Sequence, residues 1–289
     1  MIQIIIEQKN KYQLREQVIK NLYIMASIAW TPNKEFTEYT KGVLQKTRLP
    51  YTVYKVGSLY YGLPFTKINK TSLSDFLSDC KGMDLFVPED VKQVPGADCT
   101  SSLIFSMQKF TTIPVRYLTN DFLFDRNISV ELGDISLGTE RINTDKLKEQ
   151  FCDTDIYESY SLLRIGDIVC SHFTNEKGKM TDHTRIISGN TKVFRDSNGR
   201  IDAEKSYVIV IENTASLADM NDKNNYGGNL DETDYVVPFS VVPILTDIRK
   251  MSDFAGKQTN FRINRKISFK SLYANNYFAL TFKFYKAME

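Results

Sequence analysis

Apolar residues recur at three- and four-residue steps across residues 12–30: Leu14, Val18, Leu22, Met25, Ala26 and Ala29, with Arg15, Glu16 and Lys20 off that stripe. The spacing predicts an amphipathic helix, closed by Trp30-Thr31-Pro32 because Pro32 disfavours helical geometry in Thr31. The single Trp30 is expected in the core or in a groove wall. Beyond it the pattern changes. Residues 51–56 and 60–65 are aromatic and β-branched and are broken by Gly62 and Pro64, the signature of short strands and turns. Residues 72–77 read as a capped helical turn with Phe76 and Leu77 inward, and a polar, proline-containing loop then leads from Lys81 through Pro95.

The second half reads as a β region. Apolar runs at 167–171, 184–188, 192–194, 207–212 and 235–239 predict strands, with Asp196-Ser197-Asn198-Gly199 as a turn and a Gly/Asn-rich loop at 224–229. Weaker patterns predict short extended pieces at 113–117 and 128–132 and a brief helix at 145–151. Residues 268–284 read as a helical turn followed by a last strand at 277–282. Early helices and late strands argue for an α+β fold with a mainly antiparallel sheet. The chain is expected to form one elaborated domain over 1–289. Its core would span about 50–220, with the N-terminal helix about 12–30 and a C-terminal extension about 230–289.

Composition narrows the classes of function. The 289 residues are 42% hydrophobic and 12% aromatic, ample for a packed core. The 37 basic and 35 acidic residues are well mixed, so no basic stripe points to nucleic acid. Cys80, Cys99, Cys152 and Cys170 have neither zinc-site spacing nor the density of a disulfide scaffold, so neither a structural metal nor a cofactor is expected. No run approaches the roughly 20 apolar residues of a membrane span. The apolar run at residues 1–7 is too short for a signal-peptide core, so no export address is expected in the sequence. Oligomeric state is not legible.

Candidate chemistry centres on residues 96–107. Gly96-Ala97-Asp98 is turn-capable, and Leu103, Ile104 and Met107 after Cys99 have helical spacing, which predicts that Cys99 opens a helix. Unpaired N–H groups and the helix dipole favour negative charge at such a position, where cysteine becomes a nucleophile. The bland alternative is an inert buried thiol. Cys170 lies inside an apolar strand, and Cys80 and Cys152 lack a helix start behind a glycine turn. A nucleophilic thiol needs a base, and the chain has two histidines. His183 is expected where a strand begins and His172 where one ends, and position alone does not choose between them.

The order of elements does choose. A thiol in Asp98-Cys99-Thr100-Ser101, then Gly166-Asp167-Ile168-Val169, then His183-x-x-Ile186-x-x-Gly189 resembles the NlpC/P60 family of papain-like cysteine peptidases. Ala29-Trp30-Thr31-Pro32, Tyr61-Gly62-Leu63-Pro64-Phe65 and the 160–167 and 268–281 segments extend the resemblance over most of the chain. It implies a papain-like fold with the nucleophile helix packed on the sheet, Cys99 as nucleophile and His183 as general base. A polar residue on the next strand would orient the histidine: Glu212 is the first choice and Asn213 the second. Asp98, Ser101, Tyr61 and Phe65 would lie beside the substrate. The implied reaction is hydrolysis of an amide bond in peptidoglycan stem peptides, beside a γ-linked D-glutamate, by a secreted or cell-wall-associated enzyme. Phe65 stands where the family usually presents a tyrosine hydroxyl. This departure keeps open a papain-like amidase or acyltransferase on another substrate, and beyond it a non-catalytic binding module.

Overall fold

The computed structural model describes residues 3–4, 11–38, 52–82, 84–107, 111–112, 127–136, 144, 147–174, 180–220, 222, 230–231, 233–237 and 258–286. The strands are β1 (Gln3–Ile4), β2 (Ala29–Pro32), β3 (Phe36–Glu38), β4 (Thr52–Tyr54), β5 (Tyr60–Tyr61), β6 (Cys80–Lys81), β7 (Asp84–Leu85), β8 (Thr111–Thr112), β9 (Ser129–Glu131), β10 (Ile168–Thr174), β11 (Met180–Ile187), β12 (Tyr207–Asp219), β13 (Gln258–Ser268) and β14 (Phe278–Phe282). The helices are α1 (Lys11–Ser27), α2 (Leu73–Ser78), α3 (Cys99–Met107), α4 (Leu147–Gln150), α5 (Asp153–Ser161), α6 (Phe269–Ala274) and α7 (Lys283–Lys286).

A ten-stranded sheet in the order β6-β7-β2-β5-β13-β12-β11-β10-β14-β9 organises the chain. β13 pairs in parallel with β5 and β2 with β7, while β10 to β12 and β14 pair antiparallel with their neighbours. The chain is therefore α+β with a large mixed sheet that is mainly antiparallel, as expected, apart from these two parallel pairs. α3 packs against α1, β11 and β12, which sets the start of α3 beside the middle of the sheet.

Several elements differ from the reading of the sequence, each for a local reason. α1 stops at Ser27, whose hydroxyl turns back onto the Ile24 carbonyl at 2.8 Å. Trp30 is then free to be a strand residue. Its ring is fully buried, stacked on Tyr60 and edge-on to Phe76, and its indole N–H donates to the Gly62 carbonyl at 2.9 Å. In α2, capped by the Ser72 hydroxyl on the Asp75 N–H, Phe76 is buried, but Leu77 is 46% exposed because one residue is a 100° rotation of the helix. Residues 192–194 and 235–237 form single bridges, Lys192 to Tyr207 and Val236 to Gly189, in place of strands. His172 and His183 lie within β10 and β11 and not at their ends. Residues 113–117, 224–229 and 238–239 lie outside the described residues.

Arg15, which the helical period assigns to the polar side of α1, is buried. Its guanidinium donates to Asp167 Oδ1 at 2.6 Å and to the Ile165 carbonyl at 3.0 Å, and lies 3.9 Å above the Tyr285 ring centroid. Asp167 also accepts from the Thr281 hydroxyl at 2.6 Å and from the Arg164 N–H at 2.8 Å. Burial pushes the Asp167 carboxyl above its usual range, against the pull of Arg15 and Thr281. Gly166 has φ 85, and a Cβ there would stand 2.9 Å from the Tyr285 hydroxyl. The Gly166-Asp167 pair thus ties α1 to β10 and β14. Arg15→Met leaves Asp167 a buried carboxylate without its cation. It is expected to cost about 3–5 kcal/mol of unfolding free energy, read from urea denaturation near neutral pH.

Candidate active site

The start of α3 is built by its own side chains. The Asp98 carboxylate accepts from the Ser101 N–H and hydroxyl, each at 2.8 Å, and the Ser101 hydroxyl accepts from the Asp98 N–H at 2.8 Å. This reciprocal pattern satisfies donors that a helix N-terminus leaves open. Lys70 stands 2.7 Å from the other Asp98 oxygen. Ser101 is fully buried and Asp98 is 8% exposed. Both expected substrate neighbours are therefore used to hold the helix start, and Ser101 offers no surface to a ligand.

The approach to Cys99 is held as tightly. Ala97 donates its N–H to the Pro64 carbonyl at 2.9 Å, and its carbonyl accepts from the Thr66 N–H at 3.2 Å and from Asn213 Nδ2 at 2.9 Å. A Cβ on Gly96 would lie 2.1 Å from the Pro64 carbonyl oxygen, so only glycine allows the two segments to run this close. Phe65, bridged to Ala97, is buried and donates its N–H to the Tyr54 hydroxyl at 2.9 Å. Tyr61 is buried against Met220, beside Ala29 and Leu59. The Tyr60 hydroxyl accepts from the Lys55 N–H at 2.8 Å within the Trp30 cluster.

Cys99, the first residue of α3, is 7% exposed and lies close enough to the His183 ring to favour its charged form. The other side of that ring is taken: Nε2 of His183 makes a short hydrogen bond with Glu212 Oε2. Nδ1 is left as the nitrogen that faces the thiol. The structure thus brings Cys99, His183 and Glu212 together, with His183 hydrogen-bonded to Glu212 and beside Cys99. Glu212 and Asn213 are adjacent on β12 and so point to opposite faces. Glu212 meets His183, and Asn213 turns to Ala97 and to the Ser102 hydroxyl at 3.1 Å. His172 pairs with Asp182, and its backbone is bracketed by the Thr144 hydroxyl.

Strand register explains the grouping and adds residues that the sequence reading did not single out. Ile186 pairs with Ile211, so Arg185 lies opposite Glu212 and His183 shares its face two residues away. Arg185 Nε is 2.8 Å from Glu212 Oε2, and its guanidinium carbon is 4.4 Å from the Tyr277 ring centroid. Tyr277 is edge-on to His183 at 6.4 Å and is hydrogen-bonded to Ser171. A bulge separates the Val210–Arg265 and Glu212–Arg262 pairs, and Asn264 there has φ 52. The bulge lets Arg265 reach Glu212 Oε1 at 3.3 Å.

Charge follows from this geometry. Burial opposes a charge on Glu212, but Arg185 and then His183 outweigh it and hold the carboxyl well below the usual carboxylate range. Burial likewise opposes a charge on His183, but Glu212 and then the Cys99 sulfur, as an acceptor for the charged ring, push it up to about 9. Burial raises the Cys170 thiol far above the usual cysteine range, and raises Cys80 with help from Asp79. Among the described residues no group of three or more His, Cys, Asp or Glu side chains is placed to hold a metal ion, and no helix is long and apolar enough to cross a membrane. Comparison with known protein families, with curated proteins and with solved structures finds nothing that matches the chain.

The His183–Glu212 pair makes folding pH-dependent. His183 titrates higher in the folded protein than its ordinary 6.5, so its contribution is complete below that pH and is lost as pH rises through about 9. Glu212 titrates lower than its ordinary 4.5, so its contribution is present above that pH and is lost on acidification. With two histidines in the chain, NMR titration of labelled imidazoles resolves the first effect. A His183 midpoint near 9 is expected, falling toward the ordinary value in Glu212→Gln.

Proposed function

We propose that the chain is a cysteine peptidase or amidase of NlpC/P60 type, with a papain-like arrangement of helix and sheet. One observation carries the reading: Cys99, at the start of α3, stands beside His183, which is hydrogen-bonded to Glu212. In this reading the Cys99 thiolate attacks an amide carbonyl and the His183 imidazolium gives its proton to the leaving amine, which departs as the thioester forms. His183, now neutral, takes a proton from water as the water attacks the thioester. The acid product leaves, Cys99 returns as thiolate and His183 as imidazolium. Glu212 holds the ring and steadies its positive charge. The Cys99 N–H, at the positive end of α3, is suited to meet the developing oxyanion.

By resemblance the substrate is a peptidoglycan stem peptide cut beside a γ-linked D-glutamate. A specific observation favours a second reading, another amide or an acyl group on the same machinery. Phe65 brings no hydroxyl, and the nearby Tyr60 hydroxyl accepts from the Lys55 N–H. The test is release of fragments from purified stem peptides and from simple amides. Cys99→Ala and His183→Ala are expected to lose activity by at least about a thousandfold, while His172→Ala stays within a fewfold of wild type. Equal release by wild type and Cys99→Ala would reject an enzymatic role for Cys99. Cleavage of simple amides alone would select the second reading.

A further inference from the structure

Nucleophile, base and carboxylate leave the arginine on the same face unexplained. Arg185 is largely buried, and its Nε lies 2.8 Å from Glu212 Oε2, the oxygen that also takes His183 Nε2. Its guanidinium is stacked 4.4 Å from the Tyr277 ring centroid, and the Tyr277 side chain is itself buried and tied to Ser171. Arg265, the other arginine on Glu212, reaches only Oε1, at 3.3 Å, from a side chain that is 43% exposed. A carboxylate as deeply buried as Glu212 tends to take up a proton unless a cation is fixed beside it. A guanidinium pinned between a carboxylate and an aromatic face holds both its charge and its direction.

We propose that Arg185 is a positioning residue for the Cys99–His183–Glu212 set, fixing the Glu212 carboxylate on His183 Nε2 and adding a second buried positive charge on the thiolate side of the site. The proposal rests on the reading of Cys99 and His183 as nucleophile and base. The charged and titratable groups that face Arg185 are Glu212 from β12, Tyr277 ahead of β14 and the Cys99 thiol from α3. Those that face His183 are Glu212, Cys99 and the Tyr277 ring. Arg265 from β13 reaches Glu212 Oε1, and the buried Cys170 interacts with both Cys99 and Asp182. In this set Arg185 and His183 are the cations next to the thiol, so loss of Arg185 disfavours thiolate by simple Coulomb attraction foregone.

The test uses the full chain and needs no substrate. Alkylation of Cys99 by iodoacetamide is followed against pH by mass spectrometry of the Cys99 peptide, which separates it from Cys80 and Cys152. The midpoint is expected to rise by about one pH unit in Arg185→Met and to fall between the two in Arg185→Lys. A purely structural role would lower the melting temperature without moving this midpoint. A midpoint in Arg185→Met that stays in place or moves down overturns the proposal. Should that variant fail to fold, Tyr277→Leu removes the ring that pins the guanidinium and is expected to move the midpoint up by less; no movement there overturns it equally. Absence of stem-peptide cleavage by wild type, together with a shifted midpoint in the variant, would count against the proposed reaction alone. Retained cleavage with an unmoved midpoint would count against Arg185 alone.

Discussion

The candidate site depends on removing one carboxylate from water. Glu212 is 2% exposed in the middle of a ten-stranded sheet, a place where an isolated charge would cost several kcal/mol. What surrounds it answers that cost. Arg185 is opposite by strand register, His183 is two residues along on the same face, and Arg265 is brought within reach by a bulge with Asn264 in the left-handed region. The histidine is therefore not an isolated base beside a thiol. It is one of three cationic groups gathered on a buried anion, and its high titration point is the outcome of that gathering.

The two ends of the machinery are held by different physics. On the Cys99 side the work is steric and local: a glycine with no room for a Cβ, a reciprocal Asp98–Ser101 cap, and an Asn213 amide that reaches across from β12 to the Ala97 carbonyl. On the His183 side the work is electrostatic and long-range in sequence. Adjacent residues of β12 serve both, because the alternation of a strand sends Glu212 to one face and Asn213 to the other.

Much of this was legible in the sequence where the signal is local. A glycine turn before a thiol and apolar spacing after it predict α3, Ser72 or Ser74 predicts the start of α2, and the run ending in Glu212-Asn213 predicts the first half of β12. What sequence did not carry is the part set by partners distant in the chain. Arg15 falls on the polar side of a helical wheel, yet an aspartate at 167 and an aromatic ring at 285 make its burial favourable. Arg185 reads as an ordinary strand arginine until register places Glu212 opposite. β13 does alternate, with Asn260, Arg262, Asn264 and Lys266 between Phe261, Ile263 and Ile267, but both of its faces are buried, and what its polar side chains meet on β4, β12 and the connections around them is set by partners distant in the chain. Asp98 and Ser101, expected beside a ligand, also cap the helix that the thiol opens, a role their spacing of three residues allows.

The place of β13 bears on how the protein comes into being. This strand lies between β12 and β5 in the sheet, pairing Gln258 with Tyr60 across nearly the whole chain. A ribosome that has already delivered Cys99, His183 and Glu212 has still to deliver the strand that closes the sheet around them. Until then β12 has an open edge, Glu212 lacks Arg265, and the β2–β5 half of the sheet has nothing joining it to β12. Contacts of such sequence separation form late and slowly. A chain of this design thus completes the surroundings of Glu212 only once β13 has been made, and before that it presents sticky strand edges.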